Sequence, residues 1–443
     1  MQSFIQALRA SARRVGPVAC ALFFWCFAAA MPARGQNLAP LATPALVGTW
    51  GAGQAGPPLD ANTDVFSNQT VRLIVHSSAG GSSARIRVSN EMGSTPLSIS
   101  AAHLALGTGS GASIVAGSDR TLTFNGATRI VVPAGAAAVS DLVTLVVPPL
   151  SDLSVSLYFS STVRASTVHA FAAQDGFVST PGNYVRSSSF PVQRYLWSWP
   201  FLAEVDLGGT TSGAAIVALG DSITDGLRSN GNANQRWPDW LARRLQASTS
   251  ASNRLAVINR GIAGNRLLSN PQVGSLAGRS ALERLDRDVL IAAGARYVVV
   301  LIGINDLINS SSSSPVTAND LIAGYSQIIT RAHAKGIAVI GGTMTPFLNA
   351  DYYTAQKDIV RQAANNWIRS GGQFDGIVDF DALLRDPANP RRLNPVYDSG
   401  DHLHPNSLGY QLMGNAVPLS LFSAPGVRVL SVGADADEGV LAH

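Results

Sequence analysis

Cysteine is nearly absent, and its placement decides what it can do. The chain has two, Cys20 and Cys26, both in one apolar run near the N-terminus. Residues 1–35 read as a secretory signal. Arg9, Arg13 and Arg14 precede an uncharged stretch from Val15 to Ala33, and Ala33-Arg34-Gly35 offers small residues at a cleavage site before Gln36. A membrane anchor is the alternative, but the run contains Gly16 and Pro17 and is barely long enough to span. Arg13-Arg14 resembles the start of a twin-arginine signal, which the residues after it do not support. The expectation is an exported protein, secreted or periplasmic, with no stable membrane anchor. Once the signal is removed no thiol remains, which excludes disulfides, thiol nucleophiles and cysteine metal sites.

Charge is also scarce, at 14% of residues. The formal excess of +4 belongs to the leader: four of the 32 basic residues (Arg9, Arg13, Arg14, Arg34) lie there with no acid, leaving 28 bases against 28 acids. A balanced chain gives no electrostatic case for nucleic acid or an anionic membrane as partner. With 443 residues, 46% of them hydrophobic, there is enough chain for two or three domains with sizeable cores.

After a Pro- and Ala-rich stretch near Asn37 to Pro44, residues 45–207 read as β-structure. Leu153, Val155, Leu157 and Phe159 alternate with Ser154, Ser156, Tyr158 and Ser160, the period of two that turns apolar side chains to one face. Val71, Leu73 and Val75 alternate with Arg72, Ile74 and His76, and Ile86 and Val88 with Arg85, Arg87 and Ser89, across a Gly80-Gly81-Ser82-Ser83 turn. Asn125-Gly126 signals a hairpin between Leu122/Phe124 and Ile130/Val131. Short alternating strands with glycine-rich turns predict a jelly-roll-like β-sandwich. Gly107 to Gly111 precedes no helix pattern and reads as loop, not as a phosphate cradle.

Composition changes at Gly208-Gly-Thr-Thr-Ser-Gly213. A second domain is expected over 214–422, with a tail at 423–443. Apolar runs beginning at Ala214, Leu255, Tyr297, Ile337 and Gly376 alternate with helical stretches such as 279–291, 317–334 and 354–368. That order predicts an α/β/α domain around a five-stranded parallel sheet.

Four stretches fall just after apolar runs, where such a sheet collects ligands. Gly220-Asp221-Ser222 ends the first run, and Ser222 is the candidate nucleophile; alone it also reads as a strand-to-helix turn with a capping serine. A serine attacks an acyl carbon only with a base to take its proton and donors for the oxyanion. His404 is a candidate base, with Asp401 three residues earlier to fix its tautomer; His402 is a rival, with Asp398 four residues before it. Gly264 permits close backbone approach with a free N–H, and the Asn305 side chain offers a donor beside the N–H of Ser222. No further His/Asp/Glu cluster supports a metal at His402 and His404, so neither metal nor cofactor is expected.

In this order the four stretches resemble the GDSL or SGNH hydrolase superfamily, named for Ser, Gly, Asn and His in separate blocks. The resemblance implies that Ser222, Asp401 and His404 form a catalytic triad and that Ser222, Gly264 and Asn305 form the oxyanion hole. Its Asp-x-x-His-Pro spacing selects His404 over His402. Ile223-Thr224 replaces the leucine of the name motif, which leaves the chemistry intact. The α/β-hydrolase Gly-x-Ser-x-Gly is absent. Asn234-Gln-Arg-Trp-Pro-Asp-Trp240, Gly261-Ile-Ala-Gly-Asn-Arg-Leu-Leu268, Thr345-Pro346, Asn366-Trp-Ile-Arg369 and Tyr397-Asp-Ser-Gly-Asp-His-Leu-His-Pro405 look like the secreted, xylan-esterase-like branch with an N-terminal β-domain.

That branch implies hydrolysis of acyl esters, acetyl above all, on plant polysaccharide. Asp225, Arg236, Trp237 and Arg266 are candidate substrate contacts, with Trp237 and Trp240 as a sugar platform; the tryptophans also suit a helix core, and the charges suit pairing with each other. Two other readings stand: a secreted lipase or lysophospholipase on the same machinery, and a non-catalytic polysaccharide-binding protein whose function lies in the sandwich.

Overall fold

The computed structural model describes residues 45–59, 63–109, 111–248, 254–371 and 373–422. The expected leader with both cysteines, and the tail from 423, lie outside them. The N-terminal strands form two facing sheets. One runs Val47–Gly51, Leu202–Gly208, Gly81–Ser89, Val143–Val147, with Ala137–Val139 also on Gly81–Ser89. The other runs Val192–Leu196, Gly176–Ser179, Gln69–His76, Asp152–Phe159, Ala101–Leu106, Arg120–Leu122. Val71, Leu73, Val75, Leu153, Val155 and Leu157 of the second sheet meet Ile86, Val88, Val205 and Leu207 of the first in one core. The alternation sets the register: Asp152–Phe159 pairs with Gln69–His76 without a break, from Asp152↔His76 to Phe159↔Gln69. The Gly80-Gly81 turn carries the chain from one sheet to the other, as a sandwich requires.

Two expectations change here. The face of Gln69–His76 that alternation assigns to solvent is covered, and Arg72 is wholly buried. Its guanidinium donates to Ser156 Oγ and to the carbonyls of Ala112, Ser187, Tyr184 and Val185, with Phe190 under it at 4.5 Å. All five N–H groups are thereby matched, which offsets the cost of burial. Asn125-Gly126 does make a tight turn, with positive φ at both residues and reciprocal Phe124–Ala127 bonds, but no hairpin follows. Arg120–Leu122 pairs with Ala101–Leu106 and Ile130–Val132 with Leu97–Ile99.

The second half of the chain builds a parallel sheet in the order Ala256–Gly261, Ala215–Gly220, Ala295–Leu301, Ala338–Gly342, Gly376–Val378. Every residue of Ala215–Gly220 is buried, the expected fate of a central strand covered on both faces. Its side chains divide by parity. Ala215, Val217 and Leu219 join a core with Leu285, Ile328 and Ala364, while Ile216 and Ala218 join one with Trp237, Leu241, Tyr410 and Met413. Thr317 and Thr354 cap the long helices Ala318–His333 and Ala355–Ser370, the first in a reciprocal box with Asp320. The stretch expected to be helical at 279–291 is Ala281–Leu285, capped by Ser280, running into a π-turn over Asp286–Leu290. Among the described residues no helix is long and apolar enough to cross a membrane.

Strand order reverses beside Ala215–Gly220, and at such a switch point the loops after neighbouring strands diverge to leave a crevice. The sandwich packs on the edge strand Ala256–Gly261. Ser78 Oγ accepts from Val257 N at 2.9 Å, Arg260 donates to the Ala52 and Ala203 carbonyls at 2.7 and 2.8 Å, and Arg260 pairs with Glu204.

Gly261 marks a close backbone approach at this edge, because a Cβ there would run into the backbone of Thr224 and Asp225. Gly261→Ala is expected to lower stability by about 1–3 kcal/mol through overpacking. Denaturant unfolding measures it, and an unchanged midpoint would show that the two backbones can separate freely.

Candidate functional site

Ser222 lies at the carboxyl end of the central strand, at the start of the short helix Ser222–Asp225. Asp221 caps that helix by accepting from Ile223 N, and Gly226 ends it in the left-handed region at φ 92°. These bonds fix the backbone on both sides of the serine. Its Oγ is 2.8 Å from His404 Nε2. His404 Nδ1 is 2.9 Å from Asp401 Oδ2, while Asp401 Oδ1 accepts from the N–H groups of His404 and Leu403 at 2.9 and 3.1 Å. With Nδ1–H held by a carboxylate, Nε2 is the nitrogen left to accept from Ser222. Partial burial opposes ionisation of Asp401, but the bonds from the His404 ring and backbone outweigh it and hold the carboxyl well below the usual range.

His402 points elsewhere. Its Nδ1 is 2.6 Å from Asp398, so the two histidines stand in separate pairs.

The loop after Ala256–Gly261 reaches the same edge. Gly264 adopts φ 78°, and Asn265, one residue on, is pinned through Nδ2 to the carbonyls of Ala277 and Arg279. Asn305 sits in the first turn of Ile304–Ile308, after Gly303 at φ 123°. One Asn305 Nδ2 hydrogen goes to the Asn265 carbonyl at 3.0 Å; an amide nitrogen carries two. Asp306 ties the loops together by accepting from Leu267 N at 2.7 Å and Leu268 N at 2.9 Å. Asp225, at the end of the helix from Ser222, accepts from Ala263 N at 2.9 Å and joins the two pairs, so the four blocks are one hydrogen-bonded assembly that can deprotonate an alcohol and offer N–H groups beside it.

Three of the four candidate substrate residues are engaged inside the protein. Trp237 has no exposed surface, donates through Nε1 to Thr224 Oγ1 and packs on Phe380. Buried apolar positions of its helix include Leu241 and Leu245, so the tryptophan follows the core stripe and no sugar platform exists at Trp237. Arg236 is taken up by the carbonyls of Asp225 and Ala172 and by Asp239. Asp225 is taken up by His169 and by Ala263 N. Asp225 and Arg236 thus touch each other, though through a backbone carbonyl and not as an ion pair. Arg266 is half-buried, with its Nε unpartnered and its charge acting on Asp306.

One residue absent from the sequence reading stands at the site, and a second lies beside the loop that carries it. Arg228, at φ 74° and largely exposed, donates Nε to Asp401 Oδ2 at 3.1 Å. Trp197 of the sandwich is 54% exposed, and a Cβ on Gly231, three residues after Arg228, would lie 3.2 Å from its ring. An exposed tryptophan in a strand-rich stretch carries no periodic signal that would single it out.

Residues 218–412 match the family described as GDSL-like Lipase/Acylhydrolase. Among solved structures the chain is similar to Axe2, an acetylxylan esterase from Geobacillus stearothermophilus, at 21% identity over 49% of this chain and 98% of that one, with TM-score 0.36. It is similar to LAE5, an alpha/beta hydrolase enzyme from the metagenome of Lake Arreo, at 20% identity over 48% and 96%, TM-score 0.36. A GDSL-like lipase from Bacteroides thetaiotaomicron gives 21% over 48% and 89%, TM-score 0.35. No curated protein matches the chain.

Burial pushes the Asp221 carboxyl up to about 7, against the opposing bond from Ile223 N–H. An unfolded aspartate titrates near about 4. The folded state therefore holds this proton more tightly, and the stability it contributes is complete below about pH 4 and lost as pH rises through about 7. Asp221→Asn keeps the acceptor for Ile223 N–H but cannot ionise. Its unfolding free energy is expected to gain on wild type between about pH 4 and 7 and to hold that gain above it. A difference that stays constant over that range would show that the folded carboxyl ionises normally.

Proposed function

We propose that this chain, a carboxylic ester hydrolase with a GDSL-like lipase/acylhydrolase domain over residues 218–412, is an exported serine esterase that removes short acyl groups, acetyl foremost, from polysaccharide, as in the xylan-esterase-like branch its motifs resemble. The observation that carries the mechanism is the continuous chain Ser222 Oγ, His404 Nε2, His404 Nδ1, Asp401 Oδ2 at 2.8 and 2.9 Å. His404 takes the Ser222 proton as Oγ adds to the ester carbonyl. The N–H groups of Ser222 and Gly264 and the Asn305 amide hold the oxyanion, and His404 then gives its proton to the departing alcohol. Water repeats the sequence on the acyl-enzyme and restores Ser222. Asp401 stays ionised throughout and keeps the proton on Nδ1.

The polysaccharide part of the proposal is supported by Trp197. The C–H face of a pyranose ring packs on an aromatic face, and this one is offered to solvent beside the loop that brings Arg228 to Asp401. Export is read from residues 1–35.

Ser222→Ala and His404→Ala are each expected to lower kcat on p-nitrophenyl acetate by several orders of magnitude, and Asn305→Ala by roughly 10²-fold with little change in KM. Full activity in purified Ser222→Ala would overturn the mechanism, and a pure KM effect at Asn305 would remove it from the oxyanion hole. On acetylated xylan, Trp197→Ala is expected to raise KM several-fold while leaving p-nitrophenyl acetate unaffected. Activity that climbs with acyl chain length would replace the polysaccharide reading with a lipase.

A further inference from the structure

His169 lies in the N-terminal β-region, in the short strand Val168–His169 that pairs with Trp199–Pro200, and only 3% of it is exposed. Its ring stacks on Trp199 at 5.3 Å. Nδ1 lies 2.8 Å from the Gly53 carbonyl. Nε2 lies 3.0 Å from the Phe171 carbonyl and 3.0 Å from Asp225 Oδ1. A carbonyl oxygen only accepts, so each ring nitrogen needs a hydrogen, and a neutral ring would turn a lone pair on Gly53 or Phe171. Moving the proton to Asp225 does not help, because Nε2 would still face Phe171.

The charged groups around the ring agree with a cation. Asp225 is in direct contact. Arg236 opposes the charge from the α/β side, but its own guanidinium is shared with Asp239 and lies over Trp199. His76, lining the same cavity, is paired with Asp152. Burial works against protonation, the Asp225 carboxylate outweighs it, and the net direction is upward from the ordinary histidine value.

Asp225 is the last residue of the helix that begins at Ser222. Its second oxygen accepts from Ala263 N at 2.9 Å, one residue before Gly264. We propose that His169 is a positioning residue for catalysis: as a buried imidazolium it fixes Asp225, and Asp225 fixes both the nucleophile's helix and the loop that presents the Gly264 N–H. The proposal rests on the role given above to Gly264. It makes the N-terminal β-region part of the active site's support, and it makes activity depend on a proton outside the Ser222, His404 and Asp401 chain.

The wild-type enzyme with ¹⁵N-labelled histidine supplies the first test, with His169→Gln identifying the signal. His169 is expected to show two protonated ring nitrogens at pH 7, and kcat on p-nitrophenyl acetate to fall at alkaline pH in step with loss of that signature. His169→Gln is expected to lower kcat about tenfold or more, to leave KM within about twofold, and to abolish that alkaline limb. Asp225→Asn should act alike, and the double variant should be no worse than the poorer single one, since both act through one contact. Ser222→Ala runs in parallel: if it stays active, the esterase mechanism itself fails. If it is inactive while His169→Gln keeps wild-type kcat, or if wild-type His169 carries one ring proton at pH 7, the positioning role is overturned. Should His169→Gln fail to fold, Asp225→Asn identifies the signal by its perturbation. The wild-type spectrum and pH profile then decide, and a kcat that stays flat while His169 titrates rejects the proposal.

Discussion

Arg284 is buried, and its guanidinium holds the place where three stretches of the site meet. Nη2 donates to the Gly220 carbonyl and to Asn265 Oδ1, both at 2.9 Å, and Nη1 to the Arg260 carbonyl at 2.7 Å. Gly220 ends the strand before Ser222 and Asn265 follows Gly264, so one cation sets the spacing between them. Its charge is met by Asp288 at 2.7 Å, which also pairs with Arg287. Those arginines hold the Asp288 carboxyl far below its usual range despite complete burial. A buried pair of this kind adds little net stability when intact but costs about 3–5 kcal/mol when one partner is removed. Its contribution is geometric.

The same device recurs around the sheet edge. Asp306 receives two backbone N–H groups from the loop after Gly264, Asp225 receives that of Ala263 just before it, and Arg260 binds the sandwich backbone at Ala52 and Ala203. Loops at the end of a sheet have backbone groups that neither strand nor helix satisfies, and buried side chains supply the partners.

Much of this was legible in order along the chain. Buried parallel strands are continuous apolar runs, so the five strands appear where they are expected, and the long helices follow from their stripe and threonine caps. The blocks around Ser222, Gly264, Asn305 and His404 are local, and a strand-helix alternation brings them to one edge. What spacing does not encode is which side of a helix faces a neighbour: Trp237 points into the core, and Arg236 into the sandwich contact. Contacts across long separations were equally hidden. Nothing near His169 announces Asp225, nor does an alternating strand reveal that a later loop will cover Arg72.

The chemistry proposed for this protein stands or falls with Ser222 as a nucleophile activated by His404. A fluorophosphonate ester followed by peptide mass mapping tests it most directly, because the probe bonds covalently only to an activated serine. One adduct per chain is expected, on the peptide containing Ser222, and none in His404→Ala. An adduct on another residue, or undiminished labelling in His404→Ala, would contradict it.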